Sequence, residues 1–328
     1  MAQSKSDDFL WSVVLAGGEG ERTRPFIERW LGYHLPKQYC SFVGTRSMLQ
    51  HTWDRAERLT GADRNVTVMA QQHHVLAWRQ IERQRGGTVI FQPQNRDTAA
   101  GVFLPLAYVR AWDAEATVVL FPSDHFIYPE EPFMAQVRRV AGAVDWLADR
   151  LILLGLPPTN LEVEYGWIEP GETLGWCGGC AVNAVNTFLE KPDRVRAVKA
   201  MARGALWNTM VLAGKVETLW TLGWKCFPEI MVRFEQLVEA IGTPLEGATL
   251  KEMYREMPRR NFSSDLLQRV PERVGVVELR DVMWSDWGKP ERIVDTLRQI
   301  GKTPAFEQEH LVRSEPLDIS AGQLAEVK

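Results

Sequence analysis

The stretch Val13-Val14-Leu15-Ala16-Gly17-Gly18-Glu19-Gly20-Glu21-Arg22-Thr23-Arg24-Pro25 decides the fold of this chain. An apolar run ends abruptly in glycines and is followed by an arginine. Such a run reads as a buried parallel strand, and glycines directly after it let backbone N–H groups turn toward an anion with no Cβ in the way. The expected structure is a phosphate cradle, with Leu15, Ala16, Gly17, Gly18 and Gly20 as nucleotide-binding candidates. It is not the dinucleotide fingerprint G-x-G-x-x-G, because Thr23 stands where the last glycine would be. It is not a Walker A loop either, since no Gly-Lys-[Ser/Thr] follows. Arg22, and Lys37 further on, instead suggest a triphosphate held by backbone donors and two separate cations.

Working outward, strand-like apolar runs alternate with amphipathic stretches through the first half: residues 13–16, 48–59, 66–70, 75–83, 88–91, 99–111, 117–121, 133–147 and 151–154. Strands separated by helical-period segments indicate βαβ units and a mostly parallel sheet covered by helices on both faces. After Pro157-Pro158 the texture changes to glycine-rich hairpin material (165–180), short alternations (181–189) and a helix opened by Asp193. A Trp-rich segment (Trp207, Trp220, Trp224), a helix over 228–241 and a strand over 274–279 follow. The expected fold is a Rossmann-like α/β sheet with an inserted antiparallel lobe that forms the acceptor side of a cleft. It divides into 8–156, which carries the glycine loop, 157–302, which carries the acceptor side, and a polar tail over 303–328.

Composition narrows the function classes. The chain has 328 residues, 45% apolar and 24% charged, with a formal net charge of −4 and no basic block. Nucleic acid and anionic membrane are therefore not expected partners. The polar, acidic start and the absence of an apolar run of about 18 residues point to a cytoplasmic protein. Four cysteines are too few for a disulfide scaffold. Cys177-Gly-Gly-Cys180 has no second metal-ligand pair near it and reads as reduced hairpin cysteines.

Several polar clusters carry chemistry. Thr117-Val-Val-Leu-Phe-Pro-Ser123-Asp124-His125 puts a carboxylate past the C-terminal end of a buried strand, the edge where ligands bind in such sheets. Asp124 there either holds a divalent cation or caps the next turn. Asp286, after a strand and before Gly288, is a second carboxylate of that kind. Glu190-Lys191-Pro192 offers a hydroxyl acceptor and a phosphate cation, or a solvated strand end. Gln92 to Thr98, closing on Thr98 as a helix N-cap, either contacts ribose or base or only connects two elements. Tyr165-Gly166-Trp167 suits a sugar face, or a packed hairpin.

In order, Leu15-Ala-Gly-Gly-x-Gly-x-Arg22-x-x-Pro25, Pro36-Lys37-Gln38, Gln92-Pro-x-x-Arg96-Asp-Thr98-Ala99, Pro122-Ser-Asp-His125, Tyr165-Gly-Trp-Ile168, Phe188-x-Glu-Lys-Pro-Asp193, Trp207-Asn208, Ser264-Asp265 and Trp284-Ser-Asp-x-Gly288 resemble the sugar-1-phosphate nucleotidyltransferases over residues 10–300. The Pro36-Lys37-Gln38 and Arg96-Asp-Thr-Ala99 segments look like the bacterial mannose-1-phosphate guanylyltransferase branch. The resemblance implies attack of a sugar phosphate on the α-phosphorus of a nucleoside triphosphate, GTP favoured, with mannose 1-phosphate as acceptor and Mg²⁺ as cofactor. It implies catalytic roles for Arg22, Lys37, Asp124, Lys191 and Asp286, with Asp124 and Asp286 as metal ligands. The nucleotide side adds Gln92, Arg96, Thr98 and Ser123; the sugar-phosphate side adds Tyr165, Gly166, Glu190 and Asn208.

Longer guanylyltransferases carry a C-terminal isomerase-type domain, for which this chain is too short. It departs from the pattern where Thr209 leads straight to Met210 without a glycine, implying a shorter sugar-contact backbone. Ala99-Ala100-Gly101 and Trp287 are further departures, and together they leave the sugar open. A uridylyl- or thymidylyltransferase acting on glucose 1-phosphate is the neighbouring alternative. A glycosyltransferase fits poorly, since its metal motif is normally Asp-x-Asp. A non-catalytic nucleotide-sugar sensor would not need both metal carboxylates. Homodimerisation is left open.

Overall fold

The computed structural model describes residues 9–81 and 87–311. Strand β1 (Leu10–Ala16) is buried along all but one residue, as the opening stretch requires of a central strand. The chain continues through α1 (Arg24–Leu31), α2 (Met48–Thr60), β2 (Asn65–Ala70), α3 (His74–Ile81), β3 (Thr88–Gln92), α4 (Asp97–Trp112), β4 (Thr117–Pro122), β5 (Phe126–Tyr128), α5 (Glu130–Ala143) and β6 (Leu151–Leu156). The second half adds β7 (Gly166–Cys177), β8 (Cys180–Glu190), α6 (Arg194–Ala202), β9 (Leu206–Lys215), α7 (Val216–Cys226), α8 (Pro228–Ala240), α9 (Glu246–Glu256), β10 (Val274–Glu278), β11 (Met283–Ser285) and α10 (Pro290–Gln299).

Local signals explain many of these boundaries. A capping box between Ser47 and Gln50 starts α2. The Asp193 side chain accepts from the Arg196 N–H at the start of α6. Gly178 and Gly179, with φ of +54° and +83°, make the two-residue turn between β7 and β8, where Cys177 and Cys180 pair in register as free thiols. Thr98 is not the cap of α4; the helix begins at Asp97. Of the helix expected over 75–83, residues 82–83 lie outside the described residues, as do 1–8 and 312–328.

The large sheet runs β3-β2-β1-β4-β9-β6-β10-β8-β7. Pairing is parallel from β3 to β4 and between β6 and β10, and antiparallel wherever β8 or β9 is a partner. Only β8 and β9 thus run against the other strands. The antiparallel material is built into the same sheet, with β9 inserted between β4 and β6 at its centre. Sequence reading did not place a strand there.

One core face gathers Phe103, Trp220, Phe227 and Phe234 from α4, α7 and α8. The opposite face gathers Trp53, Phe121, Phe133 and Trp167 under α2 and α5. A third cluster joins Phe26, Phe42, Trp287, Leu297 and Phe306, tying α1 to α10. Phe306 packs edge-on to Phe26 at 4.8 Å, and Ala305 N–H donates to Phe42 O at 2.8 Å. The chain therefore remains part of the folded body at these positions, beyond the boundary expected at 303. Among the described residues no helix is long and apolar enough to cross a membrane.

Candidate active site

The C-terminal ends of β1, β3 and β4 open into a cleft of about 380 Å³ lined by Gly17, Gly18, Gln92, Thr98, Ser123 and Asp124, among others. The glycine loop is shaped by amides and hydroxyls from neighbouring elements. Gln38 Nε2 donates to Ala16 O at 3.1 Å and Gly18 O at 2.7 Å, while Ser123 Oγ donates to Leu15 O at 2.8 Å. A Cβ on Gly17 would lie 2.6 Å from Gln92 Nε2 and push that side chain aside, whereas Gly20, with a φ of +66°, occupies a conformation that favours glycine. Gly18 has open space beside it. The Gln92 Oε1 atom is buried in this wall and has no partner among the described residues.

The charged centre lies where β4 meets the loop after β11. Lys37 is held in a short turn with only 3% of its side chain exposed. Its Nζ lies 3.0 Å from Asp124 Oδ2 and donates to the Asp286 backbone O. Burial works to raise the Asp124 carboxyl, but Lys37 and His125 outweigh it and hold the group below the ordinary carboxylate value. Asp286 is enclosed more completely. Its Oδ1 accepts from Tyr165 Oη at 2.8 Å, the Gly288 N–H at 2.9 Å and Arg292 Nη1 at 2.7 Å, and its Oδ2 accepts from Arg22 Nη2 at 2.8 Å. Burial would raise this carboxyl too, yet Lys37, Arg22 and Arg292 drive it well below the usual range. Arg22 also reaches Glu164 at 3.1 Å but stays 49% exposed, so its guanidinium is free to turn toward a ligand.

On the opposite side, Gly166 brings the candidate acceptor residues together. A Cβ there would meet Glu190 Oε2 at 3.0 Å, Asn208 Cβ at 3.1 Å and Phe188 Cζ at 3.1 Å. Burial raises the Glu190 carboxyl, an effect that Lys191 partly offsets. Lys191 itself is 62% exposed, with Nζ 3.9 Å from Glu190 Oε1. The backbone after Asn208 bulges, and Met210 occupies a φ of +57°.

Two expected contacts are placed elsewhere. Arg96 donates to Tyr254 O at 2.8 Å and Arg255 O at 2.7 Å, so its guanidinium is spent on the carbonyls ending α9. Tyr165 is not a platform; its ring lies under the Arg292 guanidinium at 4.9 Å and its hydroxyl serves Asp286. Thr98 lines the cleft, although its Oγ1 accepts from the Phe262 N–H at 2.8 Å. Sequence reading missed Arg292, which pairs with Asp286, Glu162 and Glu164. The only available signal was its position on the first turn of the helix that follows Gly288-Lys-Pro.

Among the described residues no group of three or more His, Cys, Asp or Glu gathers around one point. Asp124 and Asp286 are oxygen donors close enough for the Asp286 charge to act on Asp124. A pair of hard oxygen ligands beside the glycine loop fits a divalent cation that takes its remaining ligands from a substrate and water. The fit requires Arg22 to leave Asp286 Oδ2.

The nucleotidyl transferase family model matches residues 11–303. The xanthan biosynthesis protein XanB of Xanthomonas campestris pv. campestris strain B100 is 26% identical over 294 residues, covering 88% of this chain and 60% of that protein. The mannose-1-phosphate guanylyltransferase of Escherichia coli K12 is 28% identical over 294 residues, covering 88% and 59%. The chain thus spans about three-fifths of the length of these relatives. A crystal structure described as mannose-1-phosphate geranyltransferase from Thermus thermophilus superposes with a TM-score of 0.73 at 26% identity, covering 87% of this chain and 79% of that one.

Proposed function

The chain belongs to the nucleotidyl transferase family, and from that premise we propose that it transfers the guanylyl group of GTP to mannose 1-phosphate, giving GDP-mannose and pyrophosphate. The observation that carries this reading is Lys37, held between Asp124 and the Asp286 backbone beside the glycine loop. The names of the relatives support the choice of substrates.

An oxygen of the acceptor phosphate attacks the α-phosphorus; the new P–O bond forms as the bond to the bridging oxygen breaks, and pyrophosphate leaves with that electron pair. No protein nucleophile is needed, so catalysis consists of alignment and charge neutralisation. The Gly17 and Gly18 backbone and the Arg22 guanidinium hold the triphosphate and the departing pyrophosphate, while Lys37 neutralises charge at the α-phosphate. Lys191 holds the acceptor phosphate, and Glu190, Asn208 and the open face of Gly166 orient the sugar hydroxyls. Tyr165 and Arg292 keep the Asp286 carboxylate ionised and fixed in direction. Asp124 and Asp286 would hold Mg²⁺, which when bound supplies Lewis-acid stabilisation of the phosphate charge.

Guanine offers two adjacent donors, N1–H and N2–H, where uracil and thymine offer N3–H alone between two carbonyls, and Gln92 lines the cleft with a buried, unpartnered Oε1 acceptor. A buried acceptor left unpaired costs about 1–3 kcal/mol. GTP should therefore exceed UTP and dTTP in kcat/KM by about tenfold, measured as pyrophosphate release with mannose 1-phosphate. A preference for UTP or dTTP with glucose 1-phosphate would replace the guanylyl assignment.

A further inference from the structure

Met210 occupies a backbone conformation that a residue with a Cβ disfavours. Its φ of +57° lies in the left-handed region, and its side chain lines the cleft together with Asp97 and Asp124. The cause is a bulge in the central strand: β9 takes four steps, from Asn208 to Leu212, where β6 takes two, from Gly155 to Leu153. Thr209 Oγ1 donates to Leu154 O at 2.6 Å, the Val211 N–H donates to Thr209 Oγ1 at 3.3 Å, and the Met210 N–H donates to Asn208 Oδ1 at 3.0 Å. Those bonds lock the bulge. They turn Met210 out of the sheet, where its sulfur accepts from Ser263 Oγ at 3.4 Å. Ser263 also acts on the Glu190 carboxyl, which it lowers against the effect of burial.

Met210 thus joins the cleft that Asp97 and Asp124 line to Asn208 and Ser263, which bond its N–H and its sulfur. Glycine would take this φ without strain and leave the space open. A strained, cleft-lining methionine fixed at its sulfur is the pattern expected when a side chain itself is used at a site. We propose that Met210 determines acceptor specificity: its side chain fills volume beside Asn208 and Ser263, and so excludes sugar 1-phosphates that carry a bulky ring substituent such as an N-acetyl group. This rests on reading the cleft as a sugar 1-phosphate site.

The test compares the wild type with Met210→Gly and, as a variant that also tolerates positive φ, Met210→Asn. Pyrophosphate release is measured with GTP and either mannose 1-phosphate or N-acetylglucosamine 1-phosphate. Met210→Gly should raise the kcat/KM ratio of the N-acetylated over the unsubstituted acceptor by about tenfold or more, with the KM for GTP unchanged within about twofold. Its Tm should equal or exceed that of the wild type, because the strain is removed. An unchanged ratio in both variants, whatever the Tm, overturns the proposal and leaves Met210 a strained spacer. If no variant or wild type releases pyrophosphate from any pair, it is the guanylyl reading that fails. Calorimetric titration with the two sugar phosphates then decides: tighter binding of the N-acetylated one by Met210→Gly supports the proposal, and equal affinities in both proteins overturn it.

Discussion

Lys37 and Lys191 are opposites in exposure, with 3% and 62% of their side chains exposed. Around Lys37 the charges are paired before any ligand arrives, with Asp124, Asp286, Arg22, Tyr165 and Arg292 in one hydrogen-bonded network. Around Lys191 there is a single long ion pair to Glu190, a carboxyl that burial raises. The difference teaches how such a cleft divides its work. The end proposed for the triphosphate is paired and, apart from Arg22, held in place, which suits transition-state charge; the end proposed for the sugar is open, and small substitutions there should change what fits.

The sharpest way to break this comparison is Asp124→Asn. If the paired end carries the chemistry, kcat should fall by at least about a hundredfold. The Tm should fall as well, because Lys37, with 3% of its side chain exposed, loses its carboxylate partner. Near-normal turnover in steady-state assays, with circular dichroism unchanged, would remove the metal role from that carboxylate.

The two lysines provide the next test. Lys37→Ala should lower kcat/KM for GTP by about 2–4 kcal/mol of transition-state stabilisation and also lower the Tm, because a buried cation has been removed from between two oxygens. Lys191→Ala should instead raise the KM for mannose 1-phosphate, by about tenfold, at an unchanged Tm. Equal effects of both substitutions on both substrates would erase the distinction between the ends.

The smallest effect concerns Glu190, whose carboxyl is raised by burial. A raised carboxyl takes up its proton at higher pH than an ordinary one, so its acceptor lone pairs are lost sooner on acidification. Between pH 7 and 5 the KM for mannose 1-phosphate should rise a few-fold more steeply in the wild type than in Glu190→Gln. The sugar phosphate itself titrates near about pH 6, and this cancels in the ratio of the two proteins. Parallel profiles would mean that Glu190 does not touch the sugar.

What could be read from the residues was what is local. The strand into Gly17, the alternation up to β6, the glycine turn at 178–179 and the Asp193 cap each depend on neighbours a few positions away. The insertion of β9 between β4 and β6 was not legible, because it rests on pairing with strands made much earlier. Arg96 and Tyr165 carry polar groups that sequence alone assigns to a ligand. Their guanidinium and hydroxyl are taken up by the carbonyls of α9 and by Asp286, choices made by tertiary contact. The departure at Met210 was visible as a residue type, whereas the bulge that explains it needed the register of β6.

The third apolar cluster, which joins Phe26 and Phe42 to Trp287, Leu297 and Phe306, bears on the order of events during synthesis. Arg22 meets Asp286 across 264 positions of sequence, and both are anchored by this cluster. Contacts so distant are late contacts: their loop closure must be met after nearer pairings have formed. On the ribosome, the β1 to β4 units can pair while the rest is still being made. The cleft cannot close its charge network until α10 has emerged, so a nascent or truncated chain ending before Asp286 would carry a glycine loop with no second carboxylate. The charge network around Asp286 is therefore completed only when Arg292 on α10 has emerged from the ribosome, long after the glycine loop itself is made.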